Sequence, residues 1–219
     1  MAKAFLFDFN GTMINDMEYH TIAWFDIINK DLQHQLSRDA VKKEMYGKNN
    51  DVLIRIFGHD HFTEEEMNRW SLEKERRYLE AYSPYVEWIP GLAHFLDSAH
   101  LKGIPMAIGS ATITSNILYV LEKLNAGDYF RAVISADHVT YSKPHPETFL
   151  KAAEALGVAP TDCIVFEDSP KGVEAAAAAG MYAVVLTTMH EEEDFRGLSN
   201  ILRFIKDYND PYIRTLVGE

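Results

Sequence analysis

The apolar positions of this chain fall into three textures along its length. Residues 3–9, "KAFLFDF", are a nearly unbroken apolar run interrupted only near its end, by Asp8, which is the pattern of a strand buried on both faces. Residues 17–82 carry apolar positions at helical spacing, with no strand candidate among them. "MEYHTIAWFDIINKDL" is one such stretch. Ser37 is placed to cap "RDAVKKEMY", which Gly47 stops, and "NDVLIRIF" runs to Gly58. Thr63 followed by Glu66 reads as a capping box opening a long helix to about Tyr82. From about residue 88 short apolar runs alternate with helical stretches. "IPMAIGS", "AVIS", "CIVFED" and "YAVVLT" read as strands, and "ILRFI" as an edge strand. Between them lie helices closed by Gly103, Gly157 and Gly180, one of them opening at Pro146.

Continuous apolar strands separated by helices predict an α/β fold, a doubly wound parallel sheet covered on both faces. The strand at 3–9 needs neighbours and joins that sheet, so the helical block is an insert following it. The expected organisation is a Rossmann-like core of residues 1–15 and 84–219 and an inserted α-helical domain of residues 16–83. The insert is long enough to be a small bundle in its own right, with Trp24, Phe25, Phe57 and Trp70 as core candidates. Lys74, in "EKERR", is expected on a solvated helix face.

Composition narrows the function. A chain of 219 residues with 47% hydrophobic and 25% charged residues is an ordinary globular one. Its net charge of −12 argues against general nucleic-acid binding, which needs a basic face, but a few local groups suffice to hold a small anion. A single cysteine, Cys163, excludes an intrachain disulfide. No apolar run approaches a membrane span of about 20 residues, and the starting "AFLF" is too short for a signal peptide. A monomer in the cytoplasm, without membrane or nucleic-acid partners, is the expectation.

Ligands of open parallel sheets bind beyond the carboxyl ends of the strands. At those ends this chain places Asp8 with Asn10 just beyond, then Ser110 with Ala111 and Thr112. Lys143 follows in "SKPHP", then Glu167 and Asp168. Asp8, Glu167 and Asp168 form a hard oxygen set suited to Mg2+. With Mg2+, the Ser110 hydroxyl and Lys143 would neutralise a phosphoryl group, and a carboxylate could attack its phosphorus. Each residue also has a plainer reading: an Asp at a strand end is often a turn former, and Glu167-Asp168 or Ser169 could simply cap the alanine-rich helix.

"FLFDFNGT", "AIGSAT", "SKPHPETF" and "VFEDSPKGVEAAAAAGM" resemble, in order, the four motifs of the haloacid dehalogenase (HAD) superfamily. The helical insert after the first motif is similar to the helical cap of its β-phosphoglucomutase-like and phosphoglycolate-phosphatase-like branch. The resemblance implies that Asp8 is the nucleophile and a Mg2+ ligand. It makes the Asn10 carbonyl a second ligand and Asp168 a third, with Glu167 bound directly or through water. Ser110, the Ala111 N–H and Lys143 would hold the phosphate of a small phosphorylated substrate, Lys143 also pairing with Asp8. His20 falls where mutases of the branch carry a cap histidine. Lys48 and Asn50, with Tyr46, are substrate-contact candidates in a loop near Gly47.

Position 10 departs from the pattern. The phosphotransferases of the family carry an aspartate there, which protonates the leaving oxygen; an amide has no proton to exchange in the useful range. The leaving group needs little protonation, or the proton comes from elsewhere, Asp16 or His20 for example. Otherwise the residue is a substitution that traps substrate or phospho-enzyme, or the chain binds without turning over. Asn50 also stands where the sugar phosphomutases carry a cap arginine. Together these favour a Mg2+-dependent phosphatase with impaired or altered acid–base function. The alternatives are a β-phosphoglucomutase-type mutase, a non-catalytic phospho-ligand binder, and a phosphonatase with an imine-forming lysine at Lys48 or Lys74.

Overall fold

The computed structural model describes residues 3–219. By contact density the chain divides into two compact units, Met1–Asn15 with Glu87–Glu219, and Asp16–Val86. The first strand, β1 (Ala4–Phe7), is shorter than the apolar run that signals it. The helical unit follows with α1 (Met17–Asp26), α2 (Arg38–Glu44), α3 (Asn49–Phe57) and α4 (Glu64–Tyr82). The remaining elements are α5 (Leu92–Leu101), β2 (Met106–Gly109), α6 (Thr114–Lys123), β3 (Ala132–Ile134), α7 (Glu147–Leu156), β4 (Cys163–Glu167), α8 (Pro170–Ala178), β5 (Tyr182–Leu186), β6 (Ile201–Ile205) and α9 (Pro211–Leu216).

In the larger unit the six strands form one parallel sheet in the order β3-β2-β1-β4-β5-β6. The order reverses direction at β1, which is where open sheets of this kind bind ligands. Alternate residues face opposite sides of each strand. Ala4, Leu6, Ala107, Val165, Ala183 and Val185 pack with Phe149, Ala152 and Ala153 of α7 and with Val173, Ala175 and Ala176 of α8. On the other face Phe7 stacks on Phe166 with centroids 4.7 Å apart, and Phe95 of α5 meets Phe5, Phe7, Phe166 and Tyr208. The sheet is therefore covered on both sides, and its strands read as continuous apolar runs for that reason.

The helical unit has its own core. Trp24, Ile27, Ile28, Val41, Val52 and Leu53 are buried together, with Phe25, Phe57 and Trp70 packed against them. The long helical stretch after Asp16 is not one α-helix: beyond Asp26 it continues as a π-turn over Ile27–Asp31, closed by Leu32 N–H donating to the Ile27 carbonyl at 2.9 Å. The Thr63–Glu66 capping box opens α4, with Thr63 N–H donating to Glu66 at 2.9 Å. Lys74 of α4 does not lie on a solvated face. It is buried, its ammonium paired with the buried Glu75 at 2.9 Å and 5.6 Å from the centroid of the Tyr78 ring. The charge-rich pattern "EKERR" hides this, because its one lysine finds an adjacent counter-charge and an aromatic face. Among the described residues no helix is long and apolar enough to cross a membrane.

Phe166 is fully buried between the aromatic residues of one face. Phe166→Ala is expected to lower the unfolding free energy by about 3–5 kcal/mol in urea titration. A loss below about 1 kcal/mol would show that this aromatic layer is not a principal support of the sheet.

Candidate active site

The parallel register sets the centre of the site. Phe7 of β1 is paired with Phe166 of β4, and the Asp8 N–H donates to the Phe166 carbonyl at 2.9 Å. The next residues on the two strands, Asp8 and Glu167, therefore leave the sheet side by side, followed by Asp168. Each of the three can offer a carboxylate oxygen, and these atoms lie within 4.8 Å of one another in buried positions. Lys143 enters between them: its ammonium donates to Asp8 Oδ1 and to Glu167 Oε1, each at 2.7 Å. It also lies 4.5 Å from the centroid of the Phe149 ring.

Each of these side chains is fixed by its own surroundings. Glu167 Oε2 accepts from the N–H groups of Asp168 and Ser169, each at 2.8 Å, and from the Ser169 hydroxyl at 3.0 Å. Ser169 also caps α8, accepting from Gly172 N–H at 3.1 Å, so the helix start and the acidic pair share one residue. Gly172 has to be glycine: a Cβ there would sit 1.7 Å from Glu167 Oε1. The loop carrying Lys143 is tied by Glu147, which accepts from Thr140 N–H at 3.0 Å, from Tyr141 N–H at 2.9 Å, and pairs with Lys151 at 2.7 Å. With the Lys151 ammonium on it, and the two backbone donors, the Glu147 carboxyl is held down at about 2.

The loop after β1 closes on itself. The Phe9 carbonyl accepts from Met13 N–H at 2.8 Å, and Gly11 N–H donates to the Ile14 carbonyl at 2.8 Å. Gly11 has φ +73°, and a Cβ on it would fall 2.1 Å from Asp168 Oδ2, so loop and carboxylate approach each other only through glycine. Thr12 donates to Asp168 Oδ1 at 3.3 Å, Thr188 to the Gly11 carbonyl at 2.6 Å, and the Tyr208 hydroxyl to the Thr12 carbonyl at 3.1 Å. Asn10 is half-buried, and its Oδ1 accepts from the Thr112 hydroxyl at 2.6 Å. The Thr112 N–H in turn donates to Ser110 Oγ at 3.2 Å, which joins the first and second motif loops. Among the described residues the Ala111 N–H makes no protein hydrogen bond, so it is available to an oxyanion.

The electrostatics follow from burial. Desolvation is the largest influence on Asp8 and raises its carboxyl; the charge of Lys143 opposes this and that of Glu167 adds to it, leaving Asp8 at about 6. Burial works to neutralise Lys143, but Asp8 and Glu167 more than offset it and hold the ammonium above the ordinary lysine value. Two carboxylates against one ammonium leave an excess negative charge, which a cation would relieve.

The sequence candidates in the helical unit have partners within that unit. His20 is buried, with Nε2 3.2 Å from Asp16 Oδ2 and its ring stacked 3.7 Å from that of Tyr78. The Tyr78 hydroxyl donates to the same Asp16 oxygen at 2.6 Å. Burial and the nearby Asp16 both push the Tyr78 hydroxyl far above its ordinary value, so it is a donor only. Lys48 ends the loop before α3, whereas Asn50 is helical. Lys48 is the N-cap of α3, its N–H donating to Asp51 at 3.0 Å, and Asn50 lies in the first turn, bonded to Asn68 at 3.3 Å and Ser71 at 2.8 Å. The stretch "NDVLIRIF" that signals this helix begins at Asn50, so Asn50 stood both in that stretch and in the loop region near Gly47. Tyr46 is exposed, with the Arg55 guanidinium 3.6 Å from its ring centroid. Thr12, Glu147, Thr188 and Tyr208 were not among the sequence candidates, and Thr112 was placed at a strand end without a role. Thr12 and Glu147 stand inside motif stretches and could have been found there, whereas Thr188 and Tyr208 follow no pattern.

Residues 5–186 match the family model described as haloacid dehalogenase-like hydrolase. The chain belongs to the haloacid dehalogenase-like hydrolase family. It is 34% identical over 182 residues to fructose-1-phosphate phosphatase of Escherichia coli (strain K12), covering 82% of this chain and 93% of that one. It is 31% identical over 187 residues to β-phosphoglucomutase of Bacillus subtilis (strain 168), covering 83% and 82%. A solved β-phosphoglucomutase from Clostridium difficile superposes with a TM-score of 0.85 at 26% identity, over 99% of this chain and 97% of that one. These relatives are enzymes, and the chain is an enzyme of the same family.

The three buried carboxylates fit the hard, oxygen-rich coordination that Mg2+ takes. A metal there competes with the proton on Asp8. Because the Asp8 carboxyl sits at about 6, raised above its ordinary value, the metal-free fold binds that proton more tightly than the unfolded chain. Its contribution to stability is full at low pH and is lost as pH rises through about 6. Mg2+ binding should run the other way, with Kd about tenfold weaker at pH 5 than at pH 7 in calorimetric titration. An affinity independent of pH over that range would mean that Asp8 does not ligate the metal.

Proposed function

We propose that this chain is a Mg2+-dependent phosphatase of small phosphorylated metabolites, sugar phosphates first among them, working through an aspartyl-phosphate on Asp8. The observation that carries this reading is the contact of Lys143 with Asp8 and Glu167, at 2.7 Å each, beside Asp168 at the carboxyl edge of the sheet. The phosphatase and phosphomutase names of the relatives support it.

In this reading Asp8, Asp168 and the main-chain carbonyl of Asn10 would hold Mg2+. Both Glu167 oxygens already accept protein donors, which favours a ligand role through water. The metal would supply positive charge to the phosphoryl oxygens. Lys143 orients the Asp8 carboxylate and adds a second positive charge, while the Ser110 hydroxyl and the Ala111 N–H receive phosphoryl oxygens. Asp8 attacks phosphorus, the bond to the leaving oxygen breaks, and water then attacks phosphorus to release phosphate and restore the carboxylate.

Asn50 bears on the choice between phosphatase and mutase. It is an uncharged amide bonded within the helical unit to Asn68 and Ser71, and it provides no cation for a second phosphate. This favours hydrolysis over transfer between two positions of one sugar. Lys74 lies in a buried ion pair with Glu75, a poor setting for an amine that has to condense with a carbonyl, so a phosphonatase is disfavoured.

The test is phosphate release from a panel of sugar phosphates, phosphoglycolate, pyrophosphate and acetyl phosphate, with and without Mg2+. Release from at least one of these is expected only with Mg2+, and Asp8→Asn should reduce kcat by more than about 10³-fold. Lys143→Ala should also lose most of the activity. Absence of Mg2+-dependent release from every substrate would overturn the reading; isomerisation of a sugar phosphate without net release would make the chain a mutase.

A further inference from the structure

We propose that Thr188 and Tyr208 are positioning residues of the acidic cluster: their hydroxyls clamp the loop after β1 and so fix the spacing of Asp8 and Asp168 for a divalent cation. The inference rests on the Mg2+-dependent reading above and adds to it the parts of the chain that preset the metal affinity.

The loop after β1 touches the cluster twice. It starts from Asp8, and a few residues later it meets Asp168. Gly11 packs so closely on that carboxylate that a Cβ would fall 2.1 Å from Oδ2, and the Thr12 hydroxyl donates to Oδ1 at 3.3 Å. The distance between the two carboxylates is therefore tied to the conformation of Gly11 and Thr12. Gly11, at φ +73° and without a Cβ, is also the residue of the loop with the most backbone freedom. Mg2+ demands near-ideal octahedral geometry, so freedom at this point would spread the ligand separations and weaken binding.

Two hydroxyls remove that freedom. Thr188 donates to the Gly11 carbonyl at 2.6 Å, and Tyr208 donates to the Thr12 carbonyl at 3.1 Å. The donors lie 177 and 196 positions further along the chain. Among the described residues no main-chain N–H donates to either carbonyl. The carbonyls on each side are held differently. Phe9 accepts from Met13 N–H at 2.8 Å and Met13 from Ile89 N–H at 2.9 Å, so backbone bonds secure them. The stretch that meets Asp168 is the one that depends on side chains.

Both donors are themselves firmly placed. Tyr208 is 4% exposed, and its ring lies 5.9 Å from that of Phe95 and 5.6 Å from that of Phe166. Its N–H donates to the Pro90 carbonyl at 2.9 Å. Thr188 follows Thr187, whose N–H donates to the Ile205 carbonyl at 3.0 Å and so joins the ends of β5 and β6. Neither of these strands contributes a carboxylate to the cluster. They act on it through the segments that follow them, which reach back to the loop after β1.

A clamp of this kind has a signature that simple support of the fold lacks. Ca2+ accepts variable ligand number and geometry, whereas Mg2+ does not. Loosening the spacing of Asp8 and Asp168 therefore penalises Mg2+ more than Ca2+.

The measurement is the Kd of Mg2+ and of Ca2+ for the full chain by isothermal calorimetry, with the thermal unfolding midpoint of each variant in EDTA. Thr188→Val and Tyr208→Phe each delete one hydroxyl and keep the shape of the side chain. Each is expected to raise the Kd for Mg2+ about tenfold, with a smaller rise for Ca2+. Thr188→Ser, which keeps the hydroxyl, should bind Mg2+ like the parent. With acetyl phosphate the two weakened variants should need more Mg2+ for half-activation and reach nearly the parent kcat at saturation. A lowered midpoint in EDTA with an unchanged Kd would make the hydroxyls supports of the fold alone and overturn the proposal. Equal losses for the two metals, or a Thr188→Ser protein as weak as Thr188→Val, would also overturn it. A parent protein that binds no Mg2+ would sink both this proposal and the phosphatase reading. The expected pattern of metal affinities without phosphate release from any substrate would uphold the clamp and overturn the phosphatase reading alone.

Discussion

Two carboxylates emerging from adjacent parallel strands repel each other, and the site exists because Lys143 lies between them. Like charges about 4 Å apart at an effective dielectric of about 20 cost about 4 kcal/mol. The ammonium answers this with a 2.7 Å contact to each of Asp8 and Glu167. Removing one member of such a buried cluster leaves charge uncompensated, typically at about 3–5 kcal/mol. The local structure around the cluster serves this contact. Glu147 ties the lysine loop, Ser169 joins the acidic pair to the start of α8, and Gly172 leaves space for the Glu167 carboxylate.

Three carboxylates against one ammonium still leave negative charge over, so a cation is favoured at the site, and its charge in turn would favour a phosphoryl group. The residue two beyond Asp8 is outside that cluster: it is an amide whose Oδ1 accepts from the Thr112 hydroxyl at 2.6 Å. The charge cluster is therefore complete without any contribution from the side chain at position 10.

Much of this was visible in the residues before the fold. The continuous apolar strands required a sheet covered on both faces, and β1 to β6 form it. Asp8, Ser110, Lys143, Glu167 and Asp168 were assigned to strand ends because each directly follows an apolar run or lies in the loop after one. Lys74 was misjudged, because helix periodicity does not register that an adjacent glutamate and Tyr78 can accept a lysine inside. Asn50 was assigned to a loop with Lys48 because a cap and a first helical turn are polar whether or not a helix follows; Lys48 is outside the helix and Asn50 inside it. Tyr208 and Thr188 came from segments far along the chain, and their hydrogen bonds to the loop after β1 depend on chain crossings that no local pattern encodes.

The central claim is that the Asp8–Lys143–Glu167 cluster makes Asp8 a nucleophile toward phosphorus. It is tested most directly by mixing the Mg2+-loaded protein with acetyl phosphate, quenching in acid within the first turnover, and measuring the mass of the peptide that contains Asp8. The account predicts the added mass of one phosphoryl group on that peptide, localised to Asp8, and its disappearance on chasing with water in the absence of substrate. Release of phosphate with no phosphorylated peptide, or a phosphoryl group on another residue, would contradict it.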